Sequence, residues 1–119
     1  MNEGEKDCIF CKIVKGEVKS DIVYSDDNFI AILDIHPKAE GHTVIIPKKH
    51  YRTIVDMPNT MGGEILEAIK EVGLNLIKNK KAEAFNVFVN NGEVAGQVVM
   101  HAHIHVIPRK KGDGLKSMA

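Results

Sequence analysis

The stretch VVMHAHIHVIPR, residues 98–109, carries the pattern from which the fold is predicted. Its histidines occupy three alternate positions: His101, His103 and His105. In a β-strand, alternate side chains point to the same face. A strand here would therefore present all three imidazoles together and turn the apolar residues between them toward a core. We predict that residues 100–108 form the last strand of a sheet and that Pro108 ends it.

Three imidazoles on one face of a strand are compatible with several roles. Neutral imidazole is a common zinc ligand, so the histidines are candidates for a metal site. An imidazole also titrates at a pH of about 6.5, which suits phosphate binding and nucleophilic or acid–base chemistry. The structural alternative is an outward-facing polar surface that happens to be rich in histidine.

The rest of the chain combines short apolar strands with one long helical pattern. Residues 21–34 predict two strands joined by a turn, and residues 42–47 and 84–90 predict one strand each. Apolar residues spaced by three and four between Met61 and Leu76 indicate an amphipathic helix. Residues 8–17 predict a short helix that Gly16 ends. The expected fold is therefore α+β, with an antiparallel sheet of about five strands, one long helix and a short N-terminal helix.

The size and the charge balance limit the expected partners. The 119 residues predict one domain, 1–119, with a polar tail from about 109 to 119 that is expected to be mobile. Basic and acidic residues number 16 each, so we expect neither nucleic acid nor a membrane as a partner. The N-terminus has no apolar segment of the signal-peptide type, and a cytoplasmic location is expected.

The two cysteines, Cys8 and Cys11, form a Cys-x-x-Cys pair. In an intracellular protein this spacing is typical of a metal site or a redox pair rather than a structural disulfide. A thioredoxin-like pair should follow a strand, and no strand is predicted before Cys8. A tetrahedral zinc site needs two further ligands, which histidine would supply because the chain has no second cysteine pair. Two unreactive thiols remain the structural alternative.

Several segments together resemble the histidine triad (HIT) family. The segment HAHIHVI, residues 101–107, is similar to the family's His-x-His-x-His signature. Three longer segments look like HIT segments in the family's order and spacing: CIFCKIVKGE (8–17), AILDIHPKAEGHTVIIPKKH (31–50) and NNGEVAGQVVMHAHIHVIPRKKGDG (90–114). The resemblance covers nearly the whole chain and is strongest to short, Hint-like bacterial and archaeal members. It implies a HIT-like fold and a homodimer joined through the long helix and a strand.

The resemblance also implies hydrolysis of nucleotides at the α-phosphate. His103 matches the family's nucleophile, which becomes nucleotidylated before water releases a nucleoside monophosphate. His105 would bond the phosphate oxygens. His42 matches a further histidine that supports the triad, and its structural alternative is a surface residue at the start of a strand.

A purine nucleotide site is implied in the same way. Asp34 matches the carboxylate that accepts hydrogen bonds from the ribose hydroxyls, and Asn90, Gly96 and Gln97 match the residues beside the phosphate. The apolar residues that match the purine slot, each of which is equally compatible with a core position, are Ile9, Phe10, Ile13, Ile32 and Ile35. Relatives commonly carry Ser or Thr as a donor to the leaving group at the next position, and here that position is Val98.

The same resemblance implies a structural Zn²⁺ site. In HIT proteins that carry the cysteine pair, the ligands match Cys8, Cys11, His50 and His101. Zinc would tie the N-terminal turn to the central strand and would remove His101 from direct catalysis. No organic cofactor is expected.

The expected substrates are purine nucleoside phosphoramidates or dinucleoside polyphosphates. Nucleotidyl transfer is an alternative within the family, although its transferases commonly carry Gln where this chain has His105. A nucleotide-binding scaffold with little activity is an alternative of a different class.

Overall fold

The computed structural model describes residues 6–116. The helices and strands that position the site are, in chain order, α1 (Ile9–Val14), β1 (Ile22–Ser25), β2 (Phe29–Leu33), β3 (Thr43–Pro47), α2 (Gly62–Lys78), β4 (Ala84–Phe88) and β5 (Ile104–Arg109). Short 3₁₀ turns occupy Ile54–Asp56, Asn59–Met61 and Glu93–Ala95. No helix among the described residues is both long enough and apolar enough to span a membrane.

The five strands form one antiparallel sheet in the order β1-β2-β3-β5-β4. The last strand is therefore internal, between β3 and β4. Its residue His105 lies opposite Val44 on β3 and opposite Phe88 on β4. The predicted α+β fold, with its antiparallel sheet, long helix and short N-terminal helix, is confirmed.

The sheet buries apolar side chains on both faces. Helix α2 covers one face, where Val72 and Leu76 belong to the same buried cluster as Ile45 and Val106. Gly73 lies against the ring of Phe85, which leaves no room for a Cβ, so a residue that weakens a helix in isolation is required here by packing. The other face carries a smaller cluster beside α1: Ile13, Ile30, Ile32, Val44 and Ile46.

The last strand is shorter than predicted, because β5 begins at Ile104 rather than near residue 100. The prediction that Pro108 ends it is wrong, because Pro108 pairs with Phe85 and β5 continues to Arg109. The residues before Ile104 bond to the end of β3 and to the loop after it, without extending the ladder. The amide of Ala102 donates to the carbonyl of Tyr51 at 2.7 Å, and the ring of His101 donates to the carbonyl of Pro47 at 2.8 Å. Pro47 has no N–H group and cannot extend the ladder. The alternation of faces nevertheless persists, since Ala102, Ile104 and Val106 are buried in the cluster under α2.

The C-terminal segment after β5 bonds back to Arg109, whose guanidinium donates to Asp113 at 2.8 Å and to the carbonyl of Leu115 at 2.8 Å. The tail for which mobility is expected covers about 109–119. Residues 117–119 of it lie outside the described residues, and its mobility stays a prediction.

Candidate functional site

The three histidines line the face of the sheet that lies beside α1. His101 is fully buried and His103 is 7 % exposed, which excludes the interpretation of an outward-facing polar surface. Phe10, on α1, packs edge-on against both rings, with centroids 5.8 Å from His101 and 5.1 Å from His103. The rings of His103 and His105 are 4.9 Å apart. The short helix therefore closes one side of the histidine row.

The tautomer of His103 is determined by the main chain. Its Nδ1 lies 2.7 Å from the carbonyl oxygen of His101. A carbonyl can only accept, so Nδ1 carries the proton and donates it. In neutral imidazole the other nitrogen then has an unprotonated lone pair. Nε2 of His103 is therefore the nucleophilic atom of the ring.

The opposite tautomer is imposed on His105 through His42. The amide of Lys38 donates to Nδ1 of His42 at 3.1 Å, which places the proton of neutral His42 on Nε2. That Nε2 lies 3.0 Å from Nδ1 of His105, so His42 donates and His105 accepts. The remaining nitrogen of His105, Nε2, consequently carries a proton. His103 thus presents a lone pair at Nε2, and His105 presents an N–H donor at Nε2.

Asp34 lies at the end of this relay, with Oδ2 at 3.5 Å from Nε2 of His42. Burial lowers the pKa of His42, and Asp34 opposes that shift only in part. Burial and the neighbouring His103 and His42 lower the pKa of His105 to about 4. Both rings are therefore neutral near pH 7, and the contact between Asp34 and His42 is not an ion pair.

The ligand atoms of Asp34, His42 and His105 lie within 4.8 Å of one another, a spacing that a metal ion could bridge. A metal at Nε2 of neutral His42 would require a proton on Nδ1, where the Lys38 amide already donates. The cluster is thus built as a hydrogen-bond relay rather than a metal site.

The neutral buried histidines predict a pH-dependent stability. Between pH about 6.5 and about 4, the unfolded chain binds protons at His105 that the folded chain does not, so the free energy of unfolding falls as the pH falls. Between pH 7 and 4.5, we expect the free energy of unfolding of His105→Asn, measured with denaturant, to fall by roughly 1–3 kcal/mol less than that of wild type. The matched control is His36→Asn at an exposed position. An unchanged slope in His105→Asn would contradict the assignment.

A second cluster brings together two thiols and two imidazoles, those of Cys8, Cys11, His50 and His101. Their ligand atoms all lie within 4.8 Å of one another, and both cysteines are buried. Nδ1 of His101 lies 3.3 Å from Sγ of Cys8, and Nδ1 of His50 lies 3.2 Å from Sγ of Cys11. Because Nε2 of His101 donates to Pro47, its Nδ1 lone pair faces the sulfurs. This donor set and its orientation fit a structural zinc ion.

The residues expected to contact the nucleoside fall into two groups. Asp34, Ile13 and Ile35 line a cleft of about 650 Å³ between the end of α1 and the end of β2. Ile35 is 83 % exposed there, so its apolar side chain is open to solvent. Ile32 is instead buried in the cluster beside α1. Ile9 is exposed, and Phe10 contacts the histidines directly.

The loop before β5 is held by Gln97. Its buried side chain accepts from the amide of Gly92 and donates to the carbonyls of Arg52 and Val99. All of these partners are main-chain groups, so the amide shapes the loop. Gly96 adopts a φ of +98°, which favours glycine, and lies next to the side chain of Asn90. The isopropyl group of Val98 is 88 % exposed and supplies no hydrogen-bond donor.

Two residues of the site were not predicted from the sequence. Lys38 acts through its main-chain amide, which leaves no signal in residue type. Phe88 stacks on His105, with ring centroids 4.6 Å apart and an interplanar angle of 14°. An aromatic residue two positions before Asn90, on the strand next to the histidines, was the available signal.

Comparisons with known proteins agree with this arrangement. The model of the HIT domain matches residues 15–112. The chain is 41 % identical to adenylylsulfatase HINT3 of Arabidopsis thaliana, over 93 % of this chain and 56 % of that protein. It is 42 % identical to adenosine 5′-monophosphoramidase HNT1 of Candida albicans, over 87 % of this chain and 70 % of that protein. A Zn-bound histidine triad family protein from Mycobacterium smegmatis superposes with a TM-score of 0.88 at 35 % identity, covering 94 % and 81 % of the two chains.

Proposed function

Because this chain belongs to the HIT family, we propose that it is a hydrolase that cleaves purine nucleotides at the α-phosphate. The observation that carries the proposal is the pair of opposite tautomers. His103 presents an Nε2 lone pair, and His105 presents an Nε2–H donor, with the rings 4.9 Å apart. A nucleophile beside a donor is what substitution at a phosphoryl group requires.

In the first step, Nε2 of His103 attacks the α-phosphorus. A phosphorus–nitrogen bond to the ring forms while the bond between phosphorus and the leaving group breaks, and the leaving group departs with its electron pair. The ring becomes positively charged as it forms this bond. Its Nδ1–H donates to the His101 carbonyl at 2.7 Å, and that dipole stabilises the charge as it develops.

In the second step, water attacks the same phosphorus. The phosphorus–nitrogen bond breaks, its electron pair returns to Nε2 of His103, the oxygen of water remains on the nucleoside monophosphate, and the surplus proton of water passes to solvent. His105, held by His42, donates to a phosphate oxygen in both steps. The Lys38 amide determines the position of the proton on His105 through two hydrogen bonds, by way of His42. The donor is therefore oriented before substrate arrives.

The nucleoside would bind in the cleft beside α1. Asp34 accepts from the ribose hydroxyls there, since a carboxylate offers two oxygens to a vicinal diol. Ile13 and Ile35 would cover the purine, and Phe10 and Ile32 pack with Ile13 in the cluster beside α1. The loop at Asn90, Gly96 and Gln97 would lie beside the phosphate. The amides of Gly96 and Gln97 already donate to the carbonyls of Glu93 and Gly92, so these N–H groups hold the turn. Gln97 contributes by shaping this loop, in keeping with its main-chain partners.

The names of relatives support a substrate class. The names of two relatives, an adenylylsulfatase and an adenosine 5′-monophosphoramidase, both describe release of an adenylyl group. We infer that purine nucleoside phosphoramidates and dinucleoside polyphosphates are the substrates of this chain. Val98 lacks the hydroxyl that would donate to a leaving amine, so amine release receives no help from this position.

Zinc at Cys8, Cys11, His50 and His101 would have a structural role in this protein. The ion would connect α1 to the loop after β3 and to His101, the residue whose carbonyl orients His103.

We also propose a cytoplasmic homodimer. The dimer is supported by an exposed apolar stripe on α2, formed by Leu66, Leu74 and Ile77, which association would bury. Sedimentation equilibrium would detect the dimer as a doubled molar mass.

The test of the proposed function is release of AMP from adenosine 5′-phosphoramidate and from diadenosine triphosphate by the zinc-loaded protein. We expect multiple turnovers with both substrates, together with an acid-labile protein-bound AMP in quenched samples. Transfer of the adenylyl group to added phosphate or pyrophosphate, without AMP release, would favour the transferase alternative. Binding of AMP with no turnover of either substrate would favour the scaffold alternative.

A further inference from the structure

Phe88 occupies a position beside the histidine relay that has no role in the steps described above. It is the last residue of β4 and the direct cross-strand partner of His105. The two rings are nearly parallel, with centroids 4.6 Å apart. The apolar face of Phe88 therefore covers one face of the imidazole.

Three neighbours confine the imidazole of His105 in different ways. Nδ1 accepts from His42 at 3.0 Å, which fixes one edge of the ring. The ring of His103 meets it edge-on at 4.9 Å, with an interplanar angle of 70°. A single hydrogen bond permits the ring to tilt about its bonded nitrogen, and the flat contact with Phe88 opposes that tilt. The direction of Nε2–H therefore depends on the stack as well as on the hydrogen bond.

The place of Phe88 in the packing separates this role from ordinary core packing. Among the described residues, the two buried apolar clusters and the side chains packed against them do not include Phe88. Phe85, on the same strand, packs against the cluster under α2. Phe88 is half-buried, contacts His105 on one side, and has the ammonium of Lys38 5.6 Å from its ring centroid. Its flat contact is directed at the site rather than at the core.

We propose that Phe88 is a positioning residue that holds the His105 ring in the plane in which its Nε2–H meets the α-phosphate. The inference rests on the proposed function for the identity of the phosphate. The Phe88 ring also excludes water from one face of the imidazole, which keeps His105 neutral. The titratable and charged groups around His105 are His42, His103, Asp34 and Lys38, and Lys38 also lies over the Phe88 ring.

The experiment compares Phe88→Ala, Phe88→Leu and Phe88→Tyr with a control on the same strand, Val87→Ala. Because small displacements of a donor reduce turnover strongly, we expect Phe88→Ala to lower kcat for AMP release about tenfold, with KM within about twofold of wild type. Phe88→Leu keeps apolar volume without a flat face and should lose most of that activity as well. Phe88→Tyr keeps the flat face and should stay within about twofold of wild type, as should Val87→Ala.

A second readout needs no substrate. In NMR titrations of the imidazole resonances, the pKa of His105 should rise in Phe88→Ala and remain at its wild-type value in Phe88→Tyr. An unchanged kcat together with an unmoved pKa of His105 in Phe88→Ala would overturn the proposal. So would a loss of kcat that Val87→Ala reproduces. If wild type releases no AMP while the pKa rises as expected, the proposed function fails and the positioning of His105 by Phe88 stands.

Discussion

Replacing His103 with alanine should abolish AMP release while leaving the fold intact. We expect kcat to fall by about 10³-fold or more, because removal of a covalent nucleophile removes the reaction path itself. The melting temperature should change by no more than a few degrees. His103 is buried, yet its Nδ1 bonds to a main-chain carbonyl, that of His101, and alanine leaves no charge behind.

The size of this effect distinguishes a nucleophile from a binding group. A histidine that only binds phosphate would, when removed, mainly raise KM and leave residual turnover. A nucleophile is instead required for the protein-bound AMP that quenched samples should contain. We therefore expect His103→Ala to yield no acid-labile adenylyl-protein even at saturating substrate, whereas His105→Asn should form it slowly.

The control is His36→Ala, which removes an imidazole from an exposed position on the loop after β2. Its turnover should equal that of wild type. AMP release by His103→Ala at the wild-type rate would show that the intermediate does not form on this ring. The hydrolase proposal would then need another nucleophile, and His105 is the nearest imidazole.

The parts of the fold that follow from local patterns were predictable from the sequence. The spacing of apolar residues between Met61 and Leu76 predicted α2, and alternation predicted which face of residues 102–106 is buried. The position of β5 between β3 and β4 is a pairing between distant parts of the chain, for which no local pattern exists. The start of β5 also escaped prediction, because it depends on Pro47 in the strand beside it.

The site divides in the same way. Residue types and a family resemblance predicted the residues of both clusters, since imidazoles, thiols and carboxylates carry their chemistry in the side chain. The tautomers were not predictable, because they depend on the amide of Lys38 and the carbonyl of His101, which are main-chain groups that every residue possesses. The roles of Gln97 and Phe88 likewise depend on which surfaces the fold brings within contact.

Removal of zinc should lower the melting temperature by about 10 °C or more without abolishing turnover. A metal that binds only the folded state contributes its binding free energy to stability, and about 3 kcal/mol corresponds to a shift of this size in a domain of this length. The ligands come from α1 and its N-cap, from the loop after β3, and from His101 just before β5. Chelation therefore releases a cross-link between distant segments, while His103 retains the carbonyl of His101.

The variant that isolates this effect is Cys8→Ser with Cys11→Ser. Its melting temperature should match that of chelated wild type, and a chelator should lower it no further. Zinc added back to chelated wild type should restore the original value. Turnover should fall less than tenfold in each case, because the lone pair on Nε2 of His103 depends on the main chain and not on the ion. Loss of turnover with an unchanged melting temperature would instead place zinc in the reaction, and the structural role would be wrong.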